Sequence, residues 1–207
     1  MNHSKQTAVR VRTLCECAVC LALSTALSFV ALWKAPLGGE VTLCSMLPIL
    51  ICAWRNGPGW GFSTAFLHAA IQLLFGLGNL AYIPTTGAYI LGILFDYLIP
   101  FTALGVAGLF RIGKNDILRR GRAYAKVYLS LSIAAILRAA SHIFVGAVIW
   151  YDITKAGAWN DTVFRYGAFL YSTIYNGSFL LPEFVLLFAV SAIVPSLLFR
   201  LPEIKTD

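Results

Sequence analysis

The sequence predicts an all-α integral membrane protein, a single bundle of about six transmembrane helices with both termini cytoplasmic, and three observations lead there. Of the 207 residues, 59% are hydrophobic and 12% are charged, with a mean hydropathy of +0.77; a soluble domain of this size could not bury so much apolar surface. Apolar stretches approaching the ~20 residues of a spanning helix follow one another along the chain. The basic residues gather at the ends of those stretches, mostly on one side of the expected membrane.

Helix 1 is expected over about 13–33. Arg10 and Arg12 precede its apolar run, but the run is longer than the ~7–15-residue core of a signal peptide and no small-residue cleavage site follows, so it is expected to be retained. The loop 34–42 carries the helix breakers Pro36, Gly38 and Gly39. A short helix 2, about 43–54, ends at Arg55-Asn56-Gly57-Pro58-Gly59, the clearest turn in the chain, with Pro58 placed to begin helix 3 at about 59–75. A Gly/Asn/Pro-containing loop, 76–86, leads to helix 4 at about 87–110. The basic segment 111–126 precedes helix 5 at about 127–151, and the polar loop 152–165 precedes helix 6 at about 166–199, where a bend is expected near Pro182. No internal repeat or low-complexity tract divides the chain, which reads as one membrane domain over 1–207.

Six spans with the N-terminus inside put Lys5, Arg10, Arg12, Arg55, Arg111, Lys114, Arg119, Arg120, Arg122, Lys126, Arg200 and Lys205 on the cytoplasmic side, twelve of the 16 Lys and Arg. Lys34, Lys155 and Arg165 fall in outer loops and Arg138 within helix 5. A helix count wrong by one would scramble this asymmetry. The same placement at helix ends argues against nucleic acid as the reason for the net charge of +7, since phosphate-backbone binding calls for a basic patch or stripe. The five cysteines, Cys15, Cys17, Cys20, Cys44 and Cys52, lie in or beside expected spans with no Cys/His set at zinc spacing, and are read as small apolar filler; no metal and no cofactor are expected.

Ionisable groups inside a span are costly and normally face a protein interior or a water-filled cavity. Asp96, Arg138, His142, His68 and Glu183 are the ones here. Arg138, His142, Gly146 and Trp150 recur at i, i+4, i+8 and i+12, one slowly rotating stripe of helix 5 that joins a cation, an imidazole, a gap and a large ring, and reads as a pocket wall. The competing reading makes Trp150 an interfacial anchor, pairs Arg138 with Asp96, and bonds His142 within the bundle. Asp96-Tyr97 supplies a carboxylate beside a phenol. Glu40 adds a carboxylate in the outer loop, Trp33 stands at the outer end of helix 1, and Tyr171, Tyr175 and Asn176 occupy the outer part of helix 6. Aromatic faces, carboxylates and an amide suit a flat, cationic, hydrogen-bonding ligand. His68 and Gln72 read as an internal polar pair, and Glu183 as a partner for backbone groups freed by Pro182. Ala18, Ala22 and Ala26 form a small-xxx-small series on helix 1 that permits close helix approach in lipid, within the bundle or to a partner.

On these residues the chain resembles the thiamine-specific substrate-binding subunit (S-component, ThiT type) of energy-coupling factor transporters. The segment from Pro36 through Gly38-Gly39-Glu40 to Ser45-Met46-Leu47-Pro48 is similar to that family's first loop and second helix, and Arg55-Asn56-Gly57-Pro58-Gly59-Trp60-Gly61 to its turn into helix 3. The likeness continues through Asp96-Tyr97, the helix 5 stripe and Tyr171 with Asn176, nearly the whole chain. The resemblance implies a subunit that binds thiamine from outside and pairs with a transmembrane T-component and two ATPase subunits, in the plasma membrane of a prokaryote, with no ATP hydrolysis of its own. It also implies that Asp96, Tyr97, Arg138, His142, Trp150, Tyr171 and Asn176 line the thiamine site, and that the alanine series docks the T-component. Gly146, Trp33 and Glu40 complete the candidate ligand-binding set. Two departures stand out, Asp96 and Arg138, at positions where family members often carry Glu and Lys; Glu40 in addition stands where Ser is common.

In this reading thiamine stacks on Trp150 beside His142 and Tyr171, opposite Asp96, with the loop of Pro36, Gly38 and Gly39 closing over it. A pyrimidine or thiazole precursor remains an alternative ligand. A membrane-embedded enzyme using Asp96, His68, His142 or Glu183 is a second class, and a structural membrane partner without a ligand a third. The sequence contains no HExxH, DxxD or GxxxxGK[ST] motif and no serine–histidine constellation.

Overall fold

A computed structural model describes residues 3–35 and 38–200. Pro36 of the expected loop and Lys205 lie outside the described residues, as do the side chains of Lys5, Lys114, Arg120 and Arg200.

The chain enters on α1 (His3–Ser28). Thr13, Cys17 and Ser24, four and seven residues apart, form its buried stripe, while Leu14, Val19 and Leu23 face outward and are more than half exposed. The apolar run continues to Trp33 but the helix does not. Ala31–Lys34 (β1) instead pairs antiparallel with Glu40–Thr42 (β2), joining Ala31 to Thr42, Trp33 to Val41 and Lys34 to Glu40. Gly38 and Gly39, both at φ +99°, help the chain reverse. The expected helix 1 over 13–33 therefore starts earlier and stops five residues sooner, because a short apolar run carries no period that separates strand from helix.

The second helix, α2 (Leu47–Asn56), has only ten residues. At 1.5 Å per residue it is about 15 Å long, half the ~30 Å hydrocarbon thickness. Ile49, Leu50, Ala53 and Trp54 are wholly buried, and the Trp54 indole donates to Ser130 Oγ at 2.8 Å. Gly57, at φ +85°, ends the helix by donating its N–H to the Ala53 carbonyl at 2.9 Å, and Pro58 opens α3 (Pro58–Leu80), as the turn signal required. A Cβ on Gly61 would lie 2.8 Å from that of Ala53, and one on Gly105 would lie 2.7 Å from Phe62 Cα, so α2, α3 and the fourth helix approach closely here.

The third helix runs five residues past its expected end at 75, through Gly76 and Gly78. Gly76 is a packing glycine, since a Cβ there would collide with the Tyr97 phenol. Helix α4 (Thr86–Phe110) begins on Thr85, whose Oγ1 accepts from the Ala88 N–H at 3.4 Å. It widens to a π-segment at Ile93–Leu98 and tightens to 3-10 turns at Ala103–Phe110. Ser141 Oγ donates to the Phe95 carbonyl in the π-segment at 2.7 Å, supplying a partner within the bundle where regular bonding is disturbed.

After the short α5 (Lys114–Leu118), α6 (Gly121–Gly157) is α-helical to Val145, a π-segment at Gly146–Trp150, and α-helical again to Gly157. A turn of helix, α7 (Thr162–Arg165), leads to α8 (Ala168–Ser191) and α9 (Val194–Arg200). α8 runs through Pro182 without interruption, and the break in helix 6 falls at Ala192–Ile193, just before α9 and its Pro195.

Five helices, α1, α3, α4, α6 and α8, are long and apolar enough to cross a membrane; the short α2 is the sixth member of the bundle. Their outward faces are hydrocarbon-like, with Ile136, Leu181 and Val185 exposed at 67%, 66% and 69%. Lipid is the solvent consistent with such surfaces. One half of the bundle packs around α2 with Leu104, Val127, Leu131 and Leu187. The other half, at the hairpin end, is hollow.

Candidate functional site

A cavity of about 410 Å³ opens beneath the hairpin. Gly38, Gly39, Glu40 and Thr42 contribute from the hairpin; Gln72, Gly76 and Asn79 from α3; Asp96, Tyr97 and Phe101 from α4. The far wall is α6, with Arg138, His142, Gly146, Trp150 and Thr154, and α8, with Tyr171, Ser172, Tyr175, Asn176, Phe179 and Glu183.

Asp96 stands in the π-segment of α4 and is held from α6: Trp150 Nε1 donates to Oδ2 at 2.7 Å, and His142 Nδ1 lies 3.5 Å from Oδ1. Trp150 is thus fixed inside the protein by a carboxylate rather than anchored at a lipid interface. The geometry that allows this is the π-segment at Gly146–Trp150. In an unbroken α-helix each four-residue step drifts by about 40°, and Trp150 would leave the wall that Arg138 begins. The wider π-turn removes most of that drift.

Gly146 lets α8 close on α6: a Cβ would collide with Ser172 Oγ and lie 2.9 Å from Asn176 Nδ2. Ser172 Oγ donates to the Ile143 carbonyl at 2.8 Å, and Asn176 Nδ2 donates to the His142 and Ser172 carbonyls at 3.3 and 2.9 Å. Tyr171 is buried, stacked on Tyr175 with centroids 6.1 Å apart and edge-on to Tyr151 at 5.8 Å. Tyr97 donates to the Gly76 carbonyl at 3.2 Å.

Arg138 is not paired with Asp96, as the competing reading had it. Its Nη2 lies 3.5 Å from Glu183 Oε2, its guanidinium sits 4.5 Å from the Phe101 centroid, and Nη1 contacts Met46 Sδ. Glu183 therefore does not serve the backbone freed by Pro182; its other oxygen accepts from Thr42 Oγ1 at 2.8 Å. His68 and Gln72 do not pair with each other in any hydrogen bond shown among the described residues. Buried His68 has Nδ1 3.2 Å from Ser24 Oγ, whereas Gln72 lines the cavity.

Nine of the ten candidate ligand-binding residues line this one space: Glu40, Asp96, Tyr97, Arg138, His142, Gly146, Trp150, Tyr171 and Asn176. Trp33, on β1 and 45% exposed, does not. Glu40 is ion-paired with Lys34 at 2.7 Å. Ala18, Ala22 and Ala26 are all exposed on the outer side of α1, so their series is not an internal contact. Sequence reasoning missed Asn79, Phe101 and Phe179 as cavity residues and did not assign Glu183 to the site. Glu183, a carboxylate within a span, was the one with a visible signal.

The profile of the family described as thiamine transporter protein matches residues 14–202. Thiamine transporter ThiT of Bacillus subtilis (strain 168) is 30% identical over 204 residues, covering 96% of this chain and 94% of that protein. A solved structure of ThiT from Listeria monocytogenes superposes with a TM-score of 0.67 at 22% identity, over 91% of this chain and 95% of that one.

Proposed function

The chain belongs to the thiamine transporter protein family, and from that membership and the chemistry of the cavity we propose that it captures thiamine from the extracytoplasmic side of the bacterial plasma membrane for uptake. The observation that carries this reading is Asp96, a carboxylate held by Trp150 at 2.7 Å within an aromatic-walled cavity of about 410 Å³. Such a site matches a flat heteroaromatic monocation: rings stack on aromatic faces, the ring quadrupole attracts the charge, and a carboxylate offsets it.

In this assignment thiamine stacks on Trp150 beside Tyr171, and Asp96 opposes the thiazolium charge. Asn176 has its amide nitrogen tied to backbone carbonyls, so its oxygen is the atom left to accept from an amino group. Arg138 Nε and His142 Nε2 are buried without a hydrogen-bond partner among the described residues, and both are assigned to polar atoms of the ligand. Tyr97 and Glu40 position the ligand, and the hairpin with Gly38 and Gly39 covers the mouth. The outer face of α1, with Ala18, Ala22 and Ala26, docks a transmembrane T-component, and two ATPase subunits supply the energy. This chain hydrolyses no ATP itself.

The test is titration of ligand-stripped, detergent-purified protein with thiamine while following tryptophan fluorescence. Saturable quenching at submicromolar ligand, lost in Trp150→Ala, is the expected result. Absence of saturable thiamine binding by both fluorescence and calorimetry would overturn the reading.

A further inference from the structure

Five charged side chains face the cavity: the carboxylates of Glu40, Asp96 and Glu183, and the cations of Lys34 and Arg138. Lys34 and Glu40 are paired at 2.7 Å near the mouth, where the Lys34 side chain is 67% exposed. Arg138 and Glu183 are paired at depth, with side chains 6% and 3% exposed. Asp96 has no cationic Lys or Arg partner among the described residues; its bonds come from Trp150 and His142. With the His142 imidazole neutral, the cavity therefore carries one negative charge beyond balance, and that sign depends on Glu183. Without it, the cavity would be neutral overall, with the unpaired Arg138 guanidinium leaving a local positive charge at its deep end.

We propose that Glu183 is a specificity-determining residue, whose carboxylate neutralises Arg138 and so makes the cavity select a cationic ligand over one bearing an anionic group such as a phosphate ester. The inference rests on the proposed thiamine reading. Three features hold the carboxylate in that role. Thr42 Oγ1 donates to Oε1 at 2.8 Å, and Ser45 Oγ sits 2.7 Å from Thr42 Oγ1, so the second-strand hairpin residue and the turn before α2 fix one oxygen. Arg138 engages the other, and Phe101 and Met46 keep the guanidinium from swinging away. In a site screened little by water, one uncompensated charge acts strongly on a charged ligand.

The experiment compares thiamine with thiamine monophosphate on the wild type and on Glu183→Gln, which keeps the acceptor for Thr42 and removes only the charge. Thiamine affinity is expected to fall about tenfold or more, and monophosphate affinity to fall less or to rise, narrowing the preference for the unesterified cation. The double variant Glu183→Gln/Arg138→Met, which removes both charges, should restore the preference whatever its absolute affinity. Because burying Arg138 without its partner destabilises, the double variant keeps the proposal open to refutation if the single one does not fold. Equal shifts for both ligands, no shift, or a double variant that lacks the wild-type preference would overturn the role of Glu183. Wild-type protein that binds no thiamine would sink the proposed function instead, so the two failures are distinguishable.

Discussion

The two halves of the bundle are built from the same five long helices, yet one is solid and the other hollow. The difference is the length of α2. Its ten residues reach only about half the membrane depth, and where they stand Ile49, Leu50, Ala53 and Trp54 fill the centre completely. In the other half the chain before α2 is a hairpin, and the cavity of about 410 Å³ lies beneath it. The solid half is filled by apolar side chains packed around α2. The hollow half uses π-segments, which re-aim Asp96 and Trp150 toward each other, and two ion pairs.

If this division holds, substitutions in the solid half should cost stability and leave ligand choice unchanged. Trp54→Ala removes the largest fully buried side chain and the Ser130 hydrogen bond, and is expected to lower stability by about 3–5 kcal/mol. Thermal unfolding in detergent measures it; a change in the ratio of thiamine to thiamine monophosphate affinity would break the comparison. In the hollow half, Asp96→Asn keeps an acceptor for the Trp150 indole while removing the charge, and should weaken thiamine about ten- to a hundredfold with little change in Tm, as read by fluorescence titration.

Bulky substitution on the lipid-facing side of α1 touches neither half. Ala22→Leu with Ala26→Leu should leave thiamine affinity and Tm unchanged but abolish co-purification with a T-component, and retained co-purification would exclude that face as the docking surface. The smallest effect is expected at the solid, basic end. There Lys126 at 2.7 Å, the Gly113 N–H and Arg122 outweigh burial and hold the Asp116 carboxyl below the usual range. A depressed carboxyl contributes stability above its unfolded value of about 4 and loses it as pH falls through the folded value. The small Tm advantage of the wild type over Asp116→Asn should accordingly shrink once pH falls below about 4, while an advantage that grows on acidification would contradict the assignment.

Much of the site was legible because membrane interiors penalise ionisable groups: Asp96, Arg138 and His142 stood out within spans and now share one cavity. Their pairing was not legible. Arg138 turned to Glu183, 45 residues away, and not to Asp96, because partner choice depends on which helices adjoin. Trp33, expected at the outer end of helix 1 and in the ligand-binding set, lies instead on a strand and is 45% exposed. The loop expected from Gly76 onward begins only after Leu80: Gly76 sits within α3, where the Tyr97 ring occupies the space of its missing side chain.

The sequence by itself determined the solvent and the class, since composition and the lengths of the apolar stretches leave lipid as the medium for most of the chain, and it marked the turn at Gly57-Pro58 through local backbone preference alone. Tertiary structure decided the rest. Whether 29–34 continues a helix or becomes a strand, how far α3 extends past Gly76, and where a π-turn keeps Trp150 on the wall that Arg138 begins are differences of register and packing. Neighbouring helices supply the energy that selects among them, and no local periodicity encodes it.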